Sequence, residues 1–195
     1  MDKFDRNNLQ AIPLGEVELG KNYAVVISTN GGLWRYLIGD TVKFTSLSPH
    51  RIQISGRTKH YINAFGEELM IDNVETALKK ACDATEAHIL DYTGAPVFMS
   101  EGKSGAHEWL LEFAKHPNNL EHFSKIFDET LKSINSDYEA KRYLNMTLNP
   151  PIIHTAKPQL FYKWMESRGK LGGQNKVPRL SNDREYIDPL LELNK

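Results

Sequence analysis

The spacing of apolar and polar positions changes once along this chain, near residue 71. Upstream, apolar residues gather into short runs rich in β-branched and aromatic side chains, at 17–19, 23–29, 33–38, 41–45 and 51–55. Gly20-Lys21-Asn22, Asn30-Gly31-Gly32, Gly39-Asp40 and Ser48-Pro49-His50 separate them. Runs of this kind between turn residues predict strands, and Asn-Gly-Gly between two of them predicts a hairpin. The product is a small, mostly antiparallel β unit, too thin to enclose a core of its own and expected to pack against something else.

Downstream the period becomes helical. Ile71, Val74, Ala77, Leu78, Ala81 and Cys82 share one face, with Glu75, Lys79 and Lys80 turned away. Asp72-Asn73-Val74-Glu75 reads as a capping box with Asp72 as N-cap. Strands are predicted over 87–92 and 107–114, flanking a Gly/Ser-rich turn. An amphipathic helix over 119–135 carries Leu120, Phe123, Ile126, Phe127, Leu131 and Ile134. It is extended, or followed by a shorter helix, over 137–144. A strand at 151–155, a helix over 158–167 closed by Gly169, a loop at 171–174 and a short helix over 186–193 complete the chain. The order defines an α/β (α+β) protein. A small antiparallel β subdomain, residues 1–57, precedes a compact C-terminal α/β domain, residues 58–195, with a mixed sheet and flanking helices.

Composition narrows the function classes. With 195 residues, 40% hydrophobic and 25% charged, the chain is ordinary globular material. A net charge of −1 gives no long-range attraction to nucleic acid or an anionic membrane, and no basic-aromatic platform for single strands is present. No apolar run is long enough for a membrane span or leader. The single cysteine, Cys82, excludes an intrachain disulfide framework, and a cytoplasmic setting is expected. Cys82 falls on an apolar helix face and reads as a small core residue. The seven histidines show no metal-ligand spacing, so no protein-held metal is expected.

Two segments carry candidate chemistry. Trp34-Arg35-Tyr36-Leu37-Ile38-Gly39-Asp40 is followed by Ser55-Gly56-Arg57-Thr58-Lys59 and onward to Gly66. A carboxylate such as Asp40 can accept hydrogen bonds from both ribose hydroxyls, and the Arg57 guanidinium can meet phosphate oxygens in a fork. Taken singly, Asp40 reads as a turn aspartate, Arg57 as an exposed strand-end charge and Lys59 as a solvated linker lysine. Glu67 and Glu68, adjacent in an extended segment, read as solvated loop charges. The second segment is Gly172-Gly173-Gln174-Asn175-Lys176-Val177-Pro178-Arg179. A lysine on a glycine-rich loop can bring a point charge to a developing anion, although a solvated loop lysine is the plainer reading. Residues 97–104 end like a phosphate-binding loop, but Val97 replaces the first glycine, and the segment joins two strands. Ser104, His107 and Glu108 lack the elbow of a hydrolase, and Trp109 and Trp164 sit at core positions.

Together these motifs resemble the adenylate-forming ligases, and within them the Gretchen Hagen auxin-responsive-promoter family of acyl acid amido synthetases. The resemblance rests on the Arg-Tyr-x-x-Gly-Asp stretch at 35–40, Gly56-Arg57 through Gly66, and a tail containing Phe161-Tyr162-Lys163-Trp164, Arg168-Gly169 and Gln174 to Arg179. It implies that Asp40 holds the ribose of ATP, with Tyr36 and Arg57 also at the nucleotide, Arg57 on ribose or phosphate. Lys59 would lie at the domain hinge, and Lys176 would be the mobile active-site lysine. ATP with Mg2+ is the implied cofactor, and a small carboxylic acid and an amino acid are the implied substrates. Asn175 stands where members often carry tyrosine, and no Ser/Thr/Gly-rich phosphate loop is present. The chain is therefore expected to be the C-terminal portion of a ligase, partnered by an N-terminal domain of the same parent and inactive alone. The alternative is a stand-alone α/β binding or regulatory domain that has lost catalysis.

Overall fold

A computed structural model describes residues 11–57, 61–100, 102–170 and 176–195. The chain divides into two units, Met1–Lys59 and His60–Lys195.

The first unit is a three-stranded antiparallel sheet of β1 (Asn22–Ile27), β2 (Tyr36–Leu47) and β3 (His50–Arg57) in the order β1-β2-β3. Two of the expected boundaries are corrected. Residues 17–19 form no strand beyond a single bridge from Leu19 to Phe44. Gly39-Asp40 is not a turn either, because it lies inside the twelve-residue β2. Ala24 pairs with Thr41 and Val26 with Leu37, so Val25 alone is spanned by Ile38, Gly39 and Asp40. The extra length is absorbed as a bulge, with Gly39 at φ +95°, a conformation that costs glycine little and other residues more. Among the described residues of this unit only Thr41, Val42, Phe44 and Ser55 are buried. Ile38, Ile52 and Ile54 stay exposed, although the register partners of Ile52 and Ile54, Phe44 and Val42, are buried.

The second unit opens with a two-residue-strand hairpin, β4 (Tyr61–Ile62) and β5 (Leu69–Met70), that the sequence pattern gave no sign of. Helix α1 (Ile71–Thr85) follows directly. Its N-cap is Met70 rather than Asp72, and the Asn73 side chain reaches back to accept the Met70 N–H at 3.1 Å. Strands β6 (His88–Val97) and β7 (Ala106–Lys115) pair antiparallel, and β8 (Ile152–Thr155) joins β7 in parallel. Between them run α2 (Leu120–Ile134) and α3 (Ser136–Arg142), and after β8 come α4 (Leu160–Ser167) and α5 (Ile187–Leu193). Asn119 caps α2 through its side chain, which accepts the His122 N–H at 2.9 Å.

Alternation along β7 decides which helices cover which face. Trp109, Leu111 and Phe113 face one way, into a core shared with α1 and α2. Leu110 faces the other way, into a cluster with Leu160, Phe161 and Trp164 of α4 and Leu190 of α5. The sheet is thus mixed and sandwiched between two helix pairs, as the expected α/β class requires. No helix of the described residues is long and apolar enough to cross a membrane.

Candidate functional site

In the first unit the bulge sets the site. Asp40 leaves it as the direct register partner of Arg57 on β3, a pairing across seventeen positions that the β2–β3 hairpin creates. Thr41 and Ser55, just inside, lock the strands by a hydroxyl–hydroxyl bond of 3.2 Å, and Ser55 Oγ also donates to Asn22 Oδ1. The Asp40–Arg57 pair therefore sits at the end of a fastened hairpin. Tyr36, at the start of β2, is half exposed on the other side of the bulge. A carboxylate and an aromatic ring flanking a glycine bulge can take the ribose and base of a nucleotide. Lys59 lies outside the described residues.

In the second unit Lys176 is exposed, and the residues after it are held firmly. Leu180 forms a parallel bridge with Gly94 on β6, whose N–H donates to Arg179 O (2.9 Å) and whose carbonyl accepts the Ser181 N–H (3.1 Å). Thr93 Oγ1 donates to Pro178 O at 2.7 Å, and Val177 is buried. Arg179 pairs with Glu75 of α1, and its guanidinium lies 5.1 Å above the centre of the Tyr92 ring. The tail thus lies along the free edge of β6, joined to it by one parallel bridge. Asn182 continues the fastening, accepting the Asn63 N–H (2.6 Å) and donating to Tyr61 O (3.0 Å).

Charge around this edge is uneven. Burial raises the Asp91 carboxyl, and Glu112 across the ladder adds to the rise. The Tyr92 N–H and the charges of Arg179 and Lys176 offset it only in part. Burial also pushes the Tyr92 phenol well up, helped by Glu75, so it stays protonated. Lys176 thus leaves the sheet edge beside a half-buried acid.

One reading is overturned. Glu67 is not a solvated loop charge; it is fully buried. Its Oε1 accepts from His107 Nε2 at 2.8 Å and its Oε2 from the Phe65 N–H at 2.7 Å. Burial works to raise this carboxyl, but the His107 bond and charge and the backbone donors outweigh it, and the pKa falls below the usual range. Asn135 Nδ2 holds the Glu67 and Glu68 carbonyls at 3.0 and 3.3 Å, and Glu68 sits at φ +40°. The 63–68 loop is therefore a rigid turn locked to β7 and α3. Sequence offered no signal for this, since the partner is forty positions away. Among the described residues no cluster of three or more His, Cys, Asp or Glu could hold a metal ion.

The mixed sheet between helix pairs, with a bulged β unit before it in the chain, is a fold shared with part of a larger solved protein. The solved GH3.15 acyl acid amido synthetase superposes with a TM-score of 0.74 at 24% identity, over 94% of this chain and 35% of that one. The GH3 family C-terminal domain matches residues 72–185 and the GH3 family central domain matches residues 1–57. The chain belongs to the GH3 family. Indole-3-acetic acid-amido synthetase GH3.3 of Arabidopsis thaliana is 26% identical over 194 residues, covering 94% of this chain and 32% of that protein. Indole-3-acetic acid-amido synthetase GH3.8 of Oryza sativa subsp. indica is 22% identical, covering 94% and 32%. The chain spans about a third of the length of the curated relatives it matches.

Proposed function

We propose that this chain is the C-terminal portion of an ATP-dependent ligase that adenylates a carboxylic acid and conjugates it to an amino acid through an amide bond. The observation carrying this reading is the register pairing of Asp40 with Arg57 beside the Gly39 bulge, in a chain whose curated relatives are amido synthetases. Asp40 would accept the ribose hydroxyls, Arg57 would meet ribose or phosphate oxygens, and Tyr36 would lie along the nucleotide. Lys59 would sit at the hinge between the units. Mg2+ would enter with ATP and neutralise phosphate charge.

A substrate carboxylate oxygen attacks the α-phosphorus and the bond to pyrophosphate breaks. The Lys176 ammonium stabilises the charge that gathers there. The amine of the amino acid then attacks the acyl carbon, AMP departs with the bridging oxygen, and the nitrogen loses a proton. Rotation at the hinge between the two steps would withdraw Lys176 and free space for the amine. These 195 residues carry no phosphate loop and would depend on an N-terminal domain of the same parent. A reducing, cytoplasmic setting suits a chain with one cysteine, which packs against the core.

The test is pyrophosphate release from ATP by the full-length gene product with a panel of aryl and alkyl carboxylic acids and amino acids, with this chain in parallel. Release that needs the acid, in the full-length product only, is the expected result. ATP binding to the full-length product without turnover of any acid would favour a binding or regulatory domain instead.

A further inference from the structure

The geometry points to Arg179 as the positioning residue for Lys176: gripped by Glu75 and lying over Tyr92, it fixes the register of the tail on β6 and so the place from which Lys176 projects. The consequence for catalysis rests on the ligase reading of Lys176; the register claim does not.

The tail runs parallel to β6, and Leu180 bridges Gly94. A parallel strand advances about 3.3 Å per residue, which sets Lys176 alongside Leu90 and Asp91. The effect of its charge on the Asp91 carboxyl agrees with that placement. Backbone pairing by itself holds this segment poorly. Pro178 has no N–H to give, and among the described residues the backbone of residues 178 and 179 meets β6 only through its carbonyls. A slip of one residue would pull Val177 out of its cluster and turn Lys176 to the opposite face.

Arg179 closes the gap by joining three elements: the tail, α1 through Glu75, and β6 through Tyr92. A half-exposed ion pair alone contributes little. A forked guanidinium, however, can pair with a carboxylate through one N–H and stay over an aromatic ring at the same time, whereas an ammonium is a single point charge. Arginine rather than charge is therefore the requirement.

The test is hydrogen–deuterium exchange on this chain, wild type against Arg179→Met, Arg179→Lys and Glu75→Gln. We expect the Ser181 and Gly94 amides to exchange about 3- to 10-fold faster in Arg179→Met and Arg179→Lys, with α2 amides unchanged. Unchanged exchange at Ser181 and Gly94 overturns the proposal. Equal acceleration in α2 also overturns it, by making Arg179 a general stability residue. In the full-length gene product, Arg179→Met should lower the rate of adenylate formation about 10-fold with the KM for ATP nearly unchanged. Faster exchange with wild-type turnover overturns the link to Lys176. A wild type that turns over no acid removes the ligase reading and leaves the register claim to be judged by exchange.

Discussion

Replacing His107 by leucine isolates the energetics of the buried Glu67 pair. Leucine fills most of the imidazole volume against Phe65, Trp109 and Tyr138, so the dominant change is loss of the Nε2 partner of a fully buried carboxylate. In the wild type the folded pKa of Glu67 lies below 4.5; its contribution is present above that value and is lost as pH falls through the folded pKa. In the variant the sign reverses. Glu67 keeps only backbone donors, its own N–H and that of Phe65, burial dominates, and the folded pKa rises above the unfolded one, so stability falls as pH rises between them. Protonating the carboxyl caps the penalty. From an ordinary value of 4.5 to pH 7 the cost is at most about 3.4 kcal/mol, at about 1.4 kcal/mol per pH unit. Loss of the hydrogen bond itself adds about 1 kcal/mol at every pH. Urea unfolding followed by tryptophan fluorescence should therefore give a destabilisation of roughly 3–4 kcal/mol at pH 7, shrinking to roughly 1–2 kcal/mol at pH 5. Equal losses at the two pH values, or a loss below about 1 kcal/mol at pH 7, would refute the buried-carboxylate account.

Other perturbations probe separate parts. Gly94→Ala places a Cβ into the Trp109 ring, so the core must shift; a loss of about 1–3 kcal/mol is expected in thermal or urea unfolding, with faster exchange at Ser181. Arg142→Met leaves Asp128 with Lys132 and Tyr138 only. Burial raises that carboxyl while Arg142, Lys132 and Tyr138 together hold it low, so a loss of about 2–4 kcal/mol is expected at pH 7, shrinking towards pH 4. In the full-length gene product, Lys176→Ala should abolish adenylate formation in a pyrophosphate-release assay, and Asp40→Ala should chiefly weaken ATP binding by calorimetry. Normal pyrophosphate release by the Lys176 variant would remove that lysine from the mechanism.

What could be read from the sequence was local. Asn119 and the apolar stripe from Leu120 to Ile134 specify α2 within a few residues, and the alternation through Trp109 and Leu111 defines β7. Gly169 ends α4 in a left-handed turn, as its position implies. The failures were non-local. Gly39-Asp40 resembles a turn in one dimension, and only the pairing of β1 with β2 makes it a bulge. Glu67 resembles any loop acid until the β4–β5 hairpin brings it to His107. Met70 displaces Asp72 as N-cap because Asn73 supplies the returning side chain. At the candidate site, residue types were legible from the motifs. The clamp of Glu75, Tyr92 and Arg179 was not, because its members come from three elements up to 104 positions apart.

The central claim is an acyl-adenylate, and oxygen tracing tests it most directly. The full-length gene product would be given carboxylic acids labelled with 18O in the carboxylate, together with ATP and amino acids, and the products analysed by mass spectrometry. Attack of the carboxylate on the α-phosphorus predicts one 18O atom in the AMP released on amide formation. Label in inorganic phosphate with ADP as the partner product, or amide formation with unlabelled AMP, would contradict the account.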